Sequence, residues 1–176
     1  GGVALNCVAN GKILKKNIFK NIWIQPAAGD AGGSLGAALA FWYQELGNKR
    51  NSSPNSDEMN GSYLGPSFND NEVENALKSL NAKYEKQSEK NLISIAANEL
   101  KNEKTIGWFQ GRMEFGPRAL GARSILADPR SDKMQKELNL KVKFRESFRP
   151  FAPIVLKEKS AEYFDLENES PYMLLV

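Results

Sequence analysis

Between positions 69 and 80 the apolar residues Val73, Ala76, Leu77 and Leu80 recur at helical spacing, and Asn69 with Glu72 three residues on fits a capping box. The spacing predicts an amphipathic helix over 69–80. Leu92, Ile95, Ala96 and Leu100 predict a second over 91–101. A third is expected over 35–46, entered from the small-residue loop 27–34 and closed by Gly47. Short β-rich runs alternate with these at 3–5, 22–24, 105–109, 124–127 and 152–156, and Tyr84 suggests one more. Asn10-Gly11 reads as the turn of a hairpin that returns through Lys12, Ile13 and Leu14. Shorter helical stretches are expected over 134–140 and 160–164. Leu126 and Ile154, on predicted strands, are expected in the core. The alternation implies a mixed α/β (α+β) fold in two layers, without internal repeat or coiled coil.

The interval 48–61 is polar, carries one proline and has no hydrophobic period, so it reads as a linker between 1–47 and 62–176. A length of 176 residues suffices for one domain with a core, or one domain plus part of another. The chain opens on Gly-Gly and closes on the apolar run 172–176, which leads to the expectation of a piece of a longer protein. The single cysteine, Cys7, excludes an internal disulfide and fits a reducing, cytoplasmic setting; its apolar surroundings suggest buried filler. No histidine is present, which excludes His-based triads and a His/Cys zinc cluster within the chain. No apolar run is long enough to cross a bilayer, so no membrane partner is expected.

Charge changes the picture. The net charge of +3 is mild, but six of the seven arginines lie between Arg112 and Arg149, where ten Lys/Arg face five Asp/Glu. The mild net charge argues against a dedicated nucleic-acid coat, and the local excess favours a concentrated anion site over a diffuse basic surface. Each of these arginines lies within two residues of a glycine, a proline or an aromatic. A guanidinium fits phosphate or carboxylate oxygens two at a time, glycine lets backbone approach a ligand, and proline stiffens the approach. For any arginine taken singly the alternative is a surface ion pair, or a stem lying over apolar side chains. The loop 27–34 entering a helix also suits a phosphate, or equally close packing of helix on sheet.

The runs 107–124 (GWFQGRMEFGPRALGARS) and 144–153 (FRESFRPFAP) resemble the C-terminal region of NodU/CmcH-type O-carbamoyltransferases. The runs 1–6 and 26–38 resemble the last part of that family's N-terminal domain. The resemblance implies a YrdC-like twisted sheet with helices over 62–176, preceded in 1–47 by a strand–helix remnant of an actin/hexokinase-like ATPase domain. It implies that the C-terminal domain joins carbamoyl phosphate and ATP, with Mg2+, into carbamoyl adenylate, and that the N-terminal domain moves the carbamoyl group onto a hydroxyl-bearing acceptor. Arg112, Arg118 and Arg123 would then hold substrate phosphate and Arg149 would act with them. Lys143 and Arg145 match a nucleotide-binding pattern, Ser124 would be a hydroxyl ligand, and Gly111 and Gly116 would give the backbone close access. Glu114 would orient an arginine, face a metal-bound phosphate, or form a plain ion pair. Asp30 matches an iron-ligating aspartate (Fe2+), although the family's histidines are missing here and one carboxylate makes no site. Overall transfer is therefore not expected from this chain as written.

Two other functions compete. Trp108, Phe109, Phe115, Phe144, Phe148 and Phe151 interleave with the cations and could stack a single strand, although several fall in contexts that suggest core. A non-catalytic cap domain would bind neither ATP nor carbamoyl phosphate. Self-association through an exposed sheet edge in 1–47 is expected if that lobe lacks neighbours.

Overall fold

The computed structural model describes residues 1–51, 53, 56–166 and 169–176. The chain is mixed α+β, as the alternation predicts, with helices outweighing strands. Local signals place the helices well. Asn69 caps α3 (Asp70–Ser79): its side chain accepts the Glu72 N–H at 3.0 Å and its own N–H reaches Glu72 Oε2 at 2.8 Å. Ser88 caps α4 (Glu89–Lys101) through the N–H of Asn91 at 3.3 Å. The strand β1 (Ile106–Phe109) pairs antiparallel with β2 (Arg123–Leu126), setting Phe109 opposite Arg123 and Trp108 opposite Ser124. This hairpin holds the loop 110–122, the richest stretch in site candidates, between its two strands. Beyond it α5 (Met134–Glu137) continues as a wider turn through Leu138–Val142, and α6 (Ser160–Tyr163) is a single turn.

The N-terminal third departs from the sequence expectation. Positions 3–5 lie in a 3-10 turn (Gly2–Leu5), and Asn10-Gly11 is no hairpin turn but the interior of α1 (Cys7–Lys15). The cause is long-range. Asn10, 7% exposed, donates through Nδ2 to Ala4 O at 2.9 Å and to Leu174 O at 3.0 Å, tying both ends of the chain to one side chain. Gly11 is required by close approach, since a Cβ there would stand 1.8 Å from the Val176 carbonyl oxygen. Gly11→Ala should therefore destabilise the fold by about 1–3 kcal/mol although alanine is the better helix former. A thermal melt checks this, and an unchanged melting temperature with the tail still protected from protease would refute it. Cys7 begins α1 and is partly exposed, not buried filler.

The helix expected over 35–46 begins earlier, as α2 (Asp30–Ala40), and widens into a turn over Phe41–Glu45 before Gly47. The runs 22–24 and 152–156 and the surroundings of Tyr84 form no strand, since a β-rich run needs a partner and none lies alongside. No sheet edge therefore forms in 1–47 for self-association. Trp23 is 79% and Ile154 85% exposed, so Ile154 is not core; Leu126 in β2 is half-buried. The accessible surface, 13969 Å², exceeds the roughly 8,600 Å² typical of a compact chain of this mass, and the buried apolar set among the described residues is correspondingly small: Ala27, Ala122, Met134, Leu138 and Leu174. Of the linker interval 48–61, positions 52, 54 and 55 lie outside the described residues.

Its last part is ordered around Asp57, which accepts the N–H groups of Met59 (3.0 Å) and Gly61 (2.8 Å) and the Tyr172 hydroxyl. The tyrosine's hydrogen bond holds Asp57 below its ordinary value, while burial and that same bond push Tyr172 up to about 12. A raised tyrosine value means that this contact stabilises the fold below about pH 10 and is lost as pH rises toward 12. The lowered Asp57 value adds stability at neutral pH that is lost in acid. Melting temperature followed against pH should fall between pH 10 and 12 in the wild type, with the fall reduced in Tyr172→Phe. Equal slopes would refute the coupling.

Candidate functional site

The loop after β1 is built on one buried carboxylate. Glu114 is 7% exposed, and its Oε1 accepts the N–H groups of Leu120 at 2.6 Å, Ala122 at 2.8 Å and Arg123 at 3.4 Å. Burial pushes this carboxyl up, but those three N–H groups and its own outweigh burial and leave it below the usual carboxylate value. Glu114 thus forms no ion pair with a guanidinium and meets Arg123 only through its backbone N–H. It fixes the backbone that carries Arg118 and Arg123. Gly116, at φ +117°, lies against Ala27, whose Cβ would stand 2.6 Å from a Cβ at 116, so a glycine is required here for close packing on the N-terminal segment.

Two arginines sit on this loop's stem. Arg123 lies over the Phe109 ring at 3.4 Å and donates to the carbonyls of Gln110 and Gly111 at 3.2 Å and Ala122 at 2.9 Å. Arg112 donates to Gly65 O at 2.8 Å. Ser124 Oγ accepts the Gly121 N–H at 3.0 Å. Arg118 lies deeper. Its Nη2 donates to Leu5 O at 2.8 Å, and its buried Nε has no partner. It lines a crevice of about 10 Å³, at the lower limit for one water molecule, together with Pro26, Ala27, Ser62 and Tyr172. The structure therefore brings Gly111, Arg123 and Ser124 together on the hairpin and sets Arg118 at the seam with residues 1–47.

The second arginine segment follows the wider turn after α5. Arg145 donates through Nε to Asn139 Oδ1 at 2.6 Å and lies over Phe151 at 4.8 Å. Lys143 is exposed at the end of the turn. Arg149 is joined to Glu146 at 2.7 Å, and Arg130, which was not among the candidates, grips Asp128 with two nitrogens. The Arg130 side chain and backbone N–H hold Asp128 down at about 2. Asn139, 0% exposed, escaped the sequence reading; its signal was an amide set between Leu138 and Leu140.

The six arginines from Arg112 to Arg149 thus divide by what holds them. Arg130 and Arg149 have carboxylate partners. Arg112, Arg118, Arg123 and Arg145 bond to backbone carbonyls or an amide and have no carboxylate partner among the described residues. Carbonyls orient a guanidinium without cancelling its charge, so these four keep a positive charge that no carboxylate offsets among the described residues.

Asp30, exposed, opens α2, so Gly32, Gly33 and Ser34 lie inside the helix and not in a loop before it. A Cβ at Gly32 would meet Ala27 O at 2.2 Å, which favours the packing role over a phosphate cradle. Among the described residues no three His, Cys, Asp or Glu side chains group to hold a metal, and one exposed carboxylate in a chain without histidine does not fit iron.

A family model described as Carbamoyltransferase C-terminus matches residues 97–176, and one described as Carbamoyltransferase N-terminus matches residues 1–39. The uncharacterized protein sll1178 of Synechocystis sp. is 58% identical over 100% of this chain and 29% of its own length. Nodulation protein NolNO of Sinorhizobium fredii is 44% identical over 100% of this chain and 26% of its own, and nodulation protein NolO of Bradyrhizobium diazoefficiens 45% over 100% and 32%. The chain thus spans about a third or less of these relatives. Both family models fall on the segments that meet at Arg118, and the chain belongs to the carbamoyltransferase family.

Proposed function

We propose that this chain supplies the anion-binding part of an ATP-dependent O-carbamoyl transfer, binding carbamoyl phosphate and ATP with Mg2+ to form carbamoyl adenylate for a hydroxyl acceptor. The observation that carries this reading is the set of four guanidinium groups, Arg112, Arg118, Arg123 and Arg145, without carboxylate partners among the described residues. Two polyanions repel each other, and fixed cations lower that cost and stabilise the charge that gathers on a leaving pyrophosphate. Balancing the atoms requires one water. Carbamoyl phosphate gives phosphate and carbamate, and a carbamate oxygen then attacks the α-phosphorus of ATP while the α–β phosphoanhydride bond breaks and pyrophosphate leaves with the electron pair. Lys143 adds a mobile charge, Ser124 a hydroxyl, and Gly111 close backbone. Arg149, already paired with Glu146, contributes less. Residues 1–47 end the domain that completes transfer, 48–61 link it, and the single cysteine fits a cytoplasmic setting.

Calorimetric titration with carbamoyl phosphate and with ATP tests the reading. Saturable heat with each supports it, and no heat with either sinks it in favour of a structural cap. Phe144 and Phe148, 85% and 77% exposed beside Lys143 and Arg145, favour a second reading, single-strand binding. That reading predicts affinity for an oligonucleotide that falls steeply with salt.

A further inference from the structure

We propose that Asn139 is the positioning residue that aims Arg145 at phosphoryl oxygens; this rests on the reading of Arg145 as an anion ligand. Asn139 is the largest fully buried side chain of the described residues, yet it is polar. Every side-chain bond it makes goes to one loop. Oδ1 accepts Arg145 Nε at 2.6 Å, and Nδ2 donates to Ser147 O at 3.1 Å and Arg149 O at 2.8 Å. Its main-chain oxygen also accepts the Arg145 N–H at 2.9 Å. Gln135, one helical turn earlier, donates to Phe148 O and Arg149 O at 3.1 Å and steadies the far side of the loop.

The chemistry of the group fits this role closely. An amide of this size can accept from a guanidinium Nε and donate to two carbonyls at once, and it does so without charge. The partners also fix which way the amide points, because only its oxygen can face Nε and only its nitrogen can face two carbonyls. An aspartate would cancel the arginine's charge and set its oxygens against carbonyl oxygens. A leucine would leave Nε and two carbonyls without partners. Nε is held by Asn139 and the guanidinium carbon lies over Phe151 at 4.8 Å, which leaves the Nη groups to be accounted for. Among the described residues their one hydrogen bond is the long 3.5 Å bond to Pro150 O. Glu146 is engaged by Arg149. The free edge therefore suits two oxygens of one phosphoryl group.

A double-mutant cycle on the full chain, read as calorimetric affinity for inorganic pyrophosphate, tests the role. Arg145→Ala should bind about 10-fold more weakly than wild type, and Asn139→Asp about 10-fold more weakly as well. The double variant should be no weaker than Arg145→Ala alone, because Asn139 acts only through Arg145. A merely structural Asn139 would lower the melting temperature and cost affinity in both backgrounds; such additivity, or wild-type affinity in Asn139→Asp, overturns the proposal and leaves Arg145 as a ligand. Wild-type affinity in Arg145→Ala would instead remove Arg145 from the site. Where Asn139→Asp does not fold, Asn139→Ser, which keeps an oxygen for Nε, is read in the same cycle against the same outcomes.

Discussion

Replacing Glu114 with alanine is expected to cost about 3–5 kcal/mol and to unravel the loop between the two strands before the rest of the chain melts. The carboxylate is buried and gathers the N–H groups of Leu120, Ala122 and Arg123 on one oxygen. Truncation leaves those partly buried donors without their acceptor. Glu114→Gln keeps an acceptor and loses only the charge, so about 1–2 kcal/mol is expected. The pH dependence separates the two effects. The folded value of Glu114 lies below its unfolded one, so its stabilisation is complete above the unfolded value and fades as pH falls through the folded value. Glu114→Gln should lose that acid-labile part and melt with a shallower slope below about pH 5. Protease sensitivity at the loop, rising in Glu114→Ala without a change in the helical signal, would mark the loop as the unit that opens. If Glu114→Ala melts like wild type, the carboxylate does not organise the loop.

Legibility in the sequence followed the range of the forces involved. The capping box at Asn69 and Glu72 depends on neighbours a few residues away and forms where the pattern puts it, and β1 and β2 fall on the runs expected as strands, although their pairing across the loop 110–122 is legible only in the structure. Arginine richness marked the segments from Arg112 to Arg123 and from Lys143 to Arg149 because composition is local as well. What escaped is set across long sequence distance. Asn10-Gly11 carries a strong turn signal, but the carbonyls of Leu174 and Val176 turn the same two residues into a helical docking point. Runs such as 22–24 carry β-propensity that goes unused where no partner strand arrives. Phe109, Phe144 and Phe148 were expected in part to be core and stand exposed. Within the site, the type of each arginine was visible but not its counter-charge. Only coordinates separate Arg149, held by Glu146, from Arg145, held by a neutral amide.

That separation sets the largest expected effect on binding. Arg123→Ala should weaken pyrophosphate or ATP binding roughly 10–100-fold, the loss of about 1.5–3 kcal/mol in charge-assisted hydrogen bonds. Its cost in stability should be smaller, about 1 kcal/mol, because the carbonyls of Gln110 and Gly111 released by truncation stand in exposed positions that water can reach. Arg130→Ala should behave in the opposite way. It strips the partner from Asp128, a residue 8% exposed, and so lowers the melting temperature while anion affinity stays near wild type. Both variants remove one positive charge, so a diffuse attraction would weaken them equally and a defined site would not. Arg149→Ala belongs between them, since its guanidinium is already engaged by Glu146 and removal frees a carboxylate near Arg145. Affinities measured at fixed ionic strength for the three variants settle the ordering. If Arg130→Ala loses as much affinity as Arg123→Ala, net charge alone draws the anion, and the carbonyl-held guanidinium groups have no special part in holding it.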